Sequence, residues 1–346
     1  MVQFNQGLVV HEKIFNGANG KEERWVRAIP ATPSANSNTR LESRRYVAPA
    51  FQPAGGDTFL CRGPRLRCGA ESEILLVFTQ PSSEISRALN PIKSFQVDDL
   101  PVRVYAGQAD LAQDAARMVQ AHLQQCLADR GEASAILATG NSQIRFLDEL
   151  IQLGGVDWSK LTLFHMDEYL GLDGNHRASF RRYMRERVES RVKPKAFHYL
   201  NGEADQPLDE CARYADLLQA KEIDLCCMGV GENGHIAFND PHVAEFDDPW
   251  SVKLVSLDLK CRQQQVDEGH FPNVNDMPRF AYTLTIPTLC AVRKIVCISP
   301  ETRKAQAVHD ALKKPVSQDC PASYLRTQQQ AVLLLDTDSA ALLGTE

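Results

Sequence analysis

The chain contains no apolar run near the roughly 18 residues that a bilayer-spanning helix needs. Its longest apolar stretches, residues 74–78 and 331–335, have only strand length. The opening residues, Met-Val-Gln-Phe-Asn-Gln-Gly, lack the basic-then-apolar layout of an export signal. A cytoplasmic protein with no membrane partner is the expectation. No Cys-x-x-Cys pair occurs either, so the spacings of zinc sites and dithiol redox motifs are missing. Ten cysteines are present, but disulfide frameworks belong to short secreted chains, and this chain has 346 residues. Cys226 and Cys227 are adjacent in a strand-like run and cannot bridge without strain. Cys126 falls on an apolar helix face, and Cys61 and Cys68 have basic neighbours but no histidine cluster. Reduced thiols are expected. An excess of positive charge is lacking as well. Residues 1–97 carry 12 Lys/Arg against 8 Asp/Glu (+4), and the remainder carries 26 against 36 (−10). So acidic a body argues against nucleic-acid binding. It leaves room for an anionic small molecule, which a nest of amides and one or two cations can hold.

Residues 1–97 differ from the rest of the chain. Pro30, Pro33, Pro49, Pro53, Pro64 and Pro81, with Gly55-Gly56 and a Ser/Asn-rich stretch at 34–39, break any long periodicity. A largely unstructured extension is expected there, with one candidate strand at residues 74–78 and no periodic pattern for a helix-turn-helix. From Leu100 the pattern becomes a regular alternation of strand and helix. That alternation predicts an α/β domain over 98–346, a doubly wound and mostly parallel sheet flanked by helices. Strands are expected at 102–105, 135–138, 161–165, 224–228, 253–257, 294–298 and 331–335. Helices are expected through residue 128 and at 143–153, 208–221 and 302–313.

The most informative stretch is 229–241, Gly-Val-Gly-Glu-Asn-Gly-His-Ile-Ala-Phe-Asn-Asp-Pro. A buried-looking strand runs into a loop whose glycines permit positive φ and close approach to a ligand. The loop offers His235 with Asp240 five residues on. A histidine titrating near neutrality, beside a carboxylate that fixes its tautomer, suits proton transfer to a sugar oxygen. A second segment, 161–172, is an apolar strand ending in Asp167 and Glu168. Acids at the carboxyl end of a strand sit where open α/β sheets bind ligands.

Together, Met166-Asp167-Glu168-Tyr169 and Gly234-His235-Ile236-Ala237-Phe238-Asn239 resemble the glucosamine-6-phosphate deaminase family, over roughly residues 95–346. The resemblance implies a hydrolase or isomerase of amino-sugar catabolism that turns glucosamine 6-phosphate into fructose 6-phosphate and ammonia. It implies a phosphorylated amino sugar as partner and no metal or organic cofactor. Family members are often oligomers, which leaves a homo-oligomer open, although no residue pattern fixes an interface.

Residue by residue, Asp167 matches the base that moves a proton from carbon 2 to carbon 1 through an enediol-like species. Desolvation would raise its pKa and strengthen it as a base. Glu168, next along an extended strand, points to the opposite face and reads as supportive. His235 matches the group that opens the sugar ring. Its usual glutamate partner is Asp240 here, one methylene shorter, and Asn233 stands where many members carry aspartate. Thr139-Gly140-Asn141-Ser142, between a strand and a helix, matches the phosphate-binding loop, with Asn141 and Ser142 replacing Gly and Thr. Lys304 matches the phosphate-binding lysine. The polar stretch 258–280 falls where the family has a mobile lid, and the family's phosphate-binding arginine is missing from it. Arg262 is the expected substitute, with Gln263 to Gln265 offering amides to sugar hydroxyls. Two rivals remain, a 6-phosphogluconolactonase and a sugar-phosphate sensor without turnover.

Overall fold

From Lys93 onward, short apolar runs alternate with amphipathic stretches, and each becomes a strand or helix in the computed structural model. The structure describes residues 90–344 and four short upstream strands. Of the latter, β1 (Val9–Glu12) pairs antiparallel with β2 (Arg24–Arg27), and β3 (Arg67–Cys68) pairs antiparallel with β4 (Ser72–Glu73). The strand expected at 74–78 lies outside the described residues.

Residues 88–346 form one compact unit. Its elements are β5 (Lys93–Val97), β6 (Leu100–Tyr105), α1 (Gln108–Arg130), β7 (Ala133–Leu137), α2 (Asn141–Leu153), β8 (Leu161–His165) and β9 (Asp167–Tyr169). They continue with α3 (Phe180–Met184), a π-helical turn (Arg185–Glu189), α4 (Ser190–Val192), β10 (Ala196–His198), α5 (Pro207–Gln219) and β11 (Leu225–Met228). Last come β12 (Val252–Ser256), α6 (Leu259–Asp267), β13 (Phe280–Leu284), α7 (Ile286–Cys290), β14 (Lys294–Ile298), α8 (Ala305–Lys313) and β15 (Ala331–Asp336).

The main sheet has eight strands in the order β10-β8-β7-β11-β14-β15-β6-β5, all parallel except the edge strand β5. This is the doubly wound sheet that the alternation predicts. The domain start differs from the expected residue 98. β5 pairs with β6, so its residues belong to the sheet rather than to the extension.

Every core strand is apolar on both faces because helices cover both. Cys226 and Met228 of β11 pack with α5, α7 and α8, while Leu225 and Cys227 pack with α1 and α2. The adjacent cysteines therefore point to opposite sides of the sheet. All eight cysteines of the described domain are free and buried.

The winding direction of the sheet switches between β7 and β11, which run parallel. After β7 the chain winds outward through β8 to β10, and after β11 it winds the other way through β14 to β15. The loops leaving β7 and β11 thus diverge at the switch point where such sheets bind ligands.

A second sheet, β12-β13-β9, is antiparallel. The apolar strand carrying the acids does not run through them as expected. It ends at His165, and Asp167 begins β9 in this second sheet, opposite Thr283. The stretch 258–280 is not a plain loop, since it holds α6 and a 3-10 turn at Val274–Asp276. Cys261 of α6 packs with Phe238, Phe271 and Met277 against the second sheet. Among the described residues, no helix is long and apolar enough to cross a membrane.

Candidate active site

Four chain segments that leave carboxyl ends of the main sheet line one pocket. Thr139, Gly140, Asn141 and Ser142 follow β7, Asp167 follows β8, Gly229, Gly231 and His235 follow β11, and Arg303 and Lys304 follow β14. Gln264, Gln265 and Glu268 from the end of α6 close it from above.

The histidine is fixed by its own loop. Asn239 donates to the carbonyls of Ile236 and Leu284 (2.9 and 2.8 Å), which ties the loop to β13. Asn233 Oδ1 lies 2.6 Å from His235 Nδ1, and Asp240 Oδ1 lies 3.1 Å from it. Asn233 Nδ2 donates to Asp240 Oδ1 (2.9 Å), and the Asp258 amide donates to Asp240 Oδ2 (2.9 Å). Burial works to raise the Asp240 carboxyl, but the contacts from His235, Asn233 and the Asp258 amide outweigh it and hold it below the usual range. An ionised Asp240 keeps the proton on Nδ1 and leaves Nε2 to exchange one. The shorter side chain still reaches its histidine. Thus the expected His235, Asn233 and Asp240 form one cluster.

Gly231 is the counterpart of that cluster, because a Cβ there would sit 2.1 Å from His235 Cε1. The ring has no room to retreat without losing its Asn233 and Asp240 contacts. Gly231→Ala is therefore expected to cut kcat by at least about tenfold while the melting temperature changes by a few degrees at most. Unchanged kcat would show that the imidazole position is not critical.

Asp167 is buried, and among the described residues its Oδ1 has no hydrogen-bond partner. Burial, reinforced by the neighbouring Glu168 charge, pushes its carboxyl well above the usual range. Glu168 turns the other way into a satisfied network. It accepts from Ser179 Oγ (2.7 Å), the Arg181 amide (2.9 Å) and Arg181 Nε (3.2 Å) through Oε2, and from the Tyr169 amide (2.9 Å) through Oε1. Its support is structural.

An anion cradle lies at the other end. Gly140 takes φ 100°, and α2 begins at Asn141 without a side-chain cap, so its first amides are free for a ligand. Tyr183, which sequence reasoning missed, holds this turn by donating to the Gly140 carbonyl (3.0 Å). Lys304 is buried, and among the described residues its ammonium makes no hydrogen bond or ion pair. Burial lowers its pKa, only partly offset by Glu268. A buried cation without a partner facing a row of free amides is a site for an anion.

Arg262 does not join this site. Its Nη2 donates to the carbonyls of Val274 and Met277, and it does not line the pocket. The expected arginine substitution is therefore not what the structure brings together. α6 formation turns Arg262 toward the Val274–Met277 segment, while Gln264, Gln265 and Glu268 line the pocket. Gln264 and Gln265 were expected there, whereas Gln263 donates to Asp267 (2.8 Å) outside the pocket, and helical spacing within 259–268 is the signal for the unexpected Glu268. His165 packs below the site, where it accepts from the Leu200 amide (2.8 Å) through Nε2, and burial brings its pKa down to about 3. His176 stacks on Phe271, and Arg177 donates to the Gly269 carbonyl, both outside the pocket lining.

For a metal ion, His235, Asp240 and Cys261 are the described residues whose donor atoms come within 4.8 Å of one another. The fit is poor. His235 Nδ1 is already engaged by Asn233 and Asp240, and burial pushes the Cys261 thiol well up, keeping its proton on. The cluster reads as hydrogen-bonded proton-transfer machinery.

Comparisons with known proteins agree with this geometry. Residues 106–334 match the family model described as glucosamine-6-phosphate isomerases/6-phosphogluconolactonase. A glucosamine-6-phosphate deaminase of Listeria monocytogenes serotype 4a is 34% identical over 62% of this chain and 89% of its own length. One from Exiguobacterium sibiricum is 32% identical over 61% of this chain and 81% of its own. The solved structure of a monomeric glucosamine-6-phosphate deaminase superposes with a TM-score of 0.64 at 29% identity, covering 70% of this chain and 99% of that one. A 6-phosphogluconolactonase from Thermotoga maritima, at 17% identity and a TM-score of 0.56, covers 68% of this chain and 98% of its own, and shares the fold. The pocket, the switch-point sheet and the family match place this chain in the glucosamine-6-phosphate isomerase/6-phosphogluconolactonase family.

Proposed function

We propose that this chain converts glucosamine 6-phosphate to fructose 6-phosphate and ammonia. The observation that carries the reading is the buried, unpartnered carboxylate of Asp167 in the same pocket as the clamped imidazole of His235. Free amides at Asn141 and Ser142 and the unpaired Lys304 fit a phosphate at the far end. In this reading Thr139 to Ser142 and Lys304 hold the phosphate. His235 passes a proton to the ring oxygen and takes one back from the hydroxyl on carbon 1, which opens the ring to the aldehyde. Asp167 then takes the proton from carbon 2 while His235 returns its proton to oxygen 1, leaving an enolamine across carbons 1 and 2. Returning that proton to carbon 1 gives an imine at carbon 2, water adds there, and ammonia leaves with its electron pair.

Lactone hydrolysis is the competing chemistry in this fold. It requires no proton abstraction from carbon and would leave the desolvated Asp167 without a task. The test is release of ammonia and fructose 6-phosphate by the purified protein, with 6-phosphogluconolactone run alongside. Equal amounts of ammonia and ketose are expected. Lactone hydrolysis without ammonia would move the assignment to the lactonase, and tight sugar-phosphate binding with neither product would indicate a sensor.

A further inference from the structure

The pocket is smaller than its chemistry requires. Its cavity is about 80 Å³, against roughly 300–1,000 Å³ for sites that enclose small organic ligands. The end of α6 lines it through Gln264, Gln265 and Glu268. Glu268 terminates that helix, and Gly269 beyond it takes φ 79°. The Glu268 side chain is 4% exposed and lies 2.6 Å from Arg303 Nη1. Gln264 Nε2 donates to it at 2.7 Å, and His270 Nε2 lies 3.4 Å away. Burial would raise this carboxyl, but His270, Arg303 and Gln264 bring it down to about 2, so it is ionised.

Arg303 also contacts Glu301 (2.5 Å) and, more loosely, Glu232 (3.5 Å). With the neighbouring Lys304, this corner holds two cations against three carboxylates. A phosphate dianion could not join that arrangement without strong repulsion. One carboxylate must leave, and Glu268 is the one that projects into the pocket from the lid segment.

We propose that Glu268 is an internal anion standing where the substrate's phosphate binds, and that Arg303 is a phosphate ligand released to the substrate when Glu268 withdraws. The proposal rests on the phosphate site read above at Thr139–Ser142 and Lys304. It supplies the second phosphate cation that Arg262 does not. The exchange is isoelectronic for Arg303: a phosphate oxygen replaces a carboxylate oxygen at Nη1, and its bond to Glu301 keeps the guanidinium in place. Substrates without a phosphate could not displace Glu268, so the same contact selects for phosphorylated sugars.

The test is calorimetric titration of the full chain with inorganic phosphate, free of any turnover. Glu268→Gln preserves the shape and the Gln264 contact while removing the charge, and it is expected to tighten phosphate binding by about tenfold. Glu268→Ala should shift it in the same direction. Arg303→Gln should weaken it by roughly fivefold or more, and in the Glu268→Gln background it should erase most of the gain. A purely structural contact would instead loosen or leave unchanged the affinity of the Glu268 variants. Either that result or an unchanged affinity in Arg303→Gln overturns the proposal. Should the phosphate pattern hold while glucosamine 6-phosphate yields no ammonia, the proposed reaction fails and the role of Arg303 stands.

Discussion

Asp167→Asn should lower kcat by roughly 10² to 10⁴-fold, the usual contribution of a positioned general base, while sugar-phosphate affinity stays within about tenfold, or 1.4 kcal/mol. The asymmetry follows from position. Asp167 lines the pocket from the end of β8, whereas the proposed phosphate contacts lie on the loops after β7 and β14. The same variant should be more stable than the parent at neutral pH. Burial raises the Asp167 carboxyl in the folded state. A group shifted in that direction contributes stability below its unfolded pKa and loses it as pH rises through the folded value. As the parent ionises with rising pH, it takes on a charge in a site that, among the described residues, lacks a hydrogen bond for Oδ1. An amide removes that cost, on the order of 1 kcal/mol. Turnover should rise with pH along an acid limb displaced above the ordinary carboxylate range, because only the ionised form accepts a proton. Thermal unfolding beside steady-state kinetics checks all three. Parent-like turnover would remove Asp167 from the chemistry.

Arg181→Met should cost about 3–5 kcal/mol, the usual penalty for stripping one partner from a buried ion pair. Glu168 is fully buried, and Arg181 is its charged partner while also holding Asn201 Oδ1 (3.0 Å) and the Leu172 carbonyl (2.7 Å). Burial raises the Glu168 carboxyl, and the Arg181 amide, Ser179 and the Arg181 charge partly offset this. Losing the guanidinium raises it further. By the same sign, stability falls as pH rises, so the deficit of the variant should be larger at pH 8 than at pH 5. Adding Glu168→Gln should recover part of it by removing the uncompensated charge. Urea denaturation at the two pH values measures this, and a loss below about 1 kcal/mol would mean that the pair behaves like an exposed one. Activity should fall with stability, since Glu168 is the chain neighbour of Asp167 and fixes the backbone that aims it.

The residue pattern alone determined the parallel core of the sheet, its four long helices and the loops that line the candidate site. Strand runs apolar on both faces can only be buried between helices, and glycine-rich turns after such strands can only lie at their ends, so the β7 and β11 loops and His235 were legible from local chemistry. Asp167 and Lys304 were legible through the motifs that carry them. Tertiary structure decided what depends on distant pairing. β5 joins the sheet because β6 offers an unpaired edge, which nothing within 93–97 announces. Asp167 lies in a second sheet because β13, more than a hundred residues later, pairs with β9. The directions of the α6 side chains were decided the same way. Once α6 packs on Phe238 and Phe271, its helical phase turns Arg262 to the Val274 carbonyl and turns Glu268 onto Arg303, and no local sequence rule says which of these charged side chains will face the pocket.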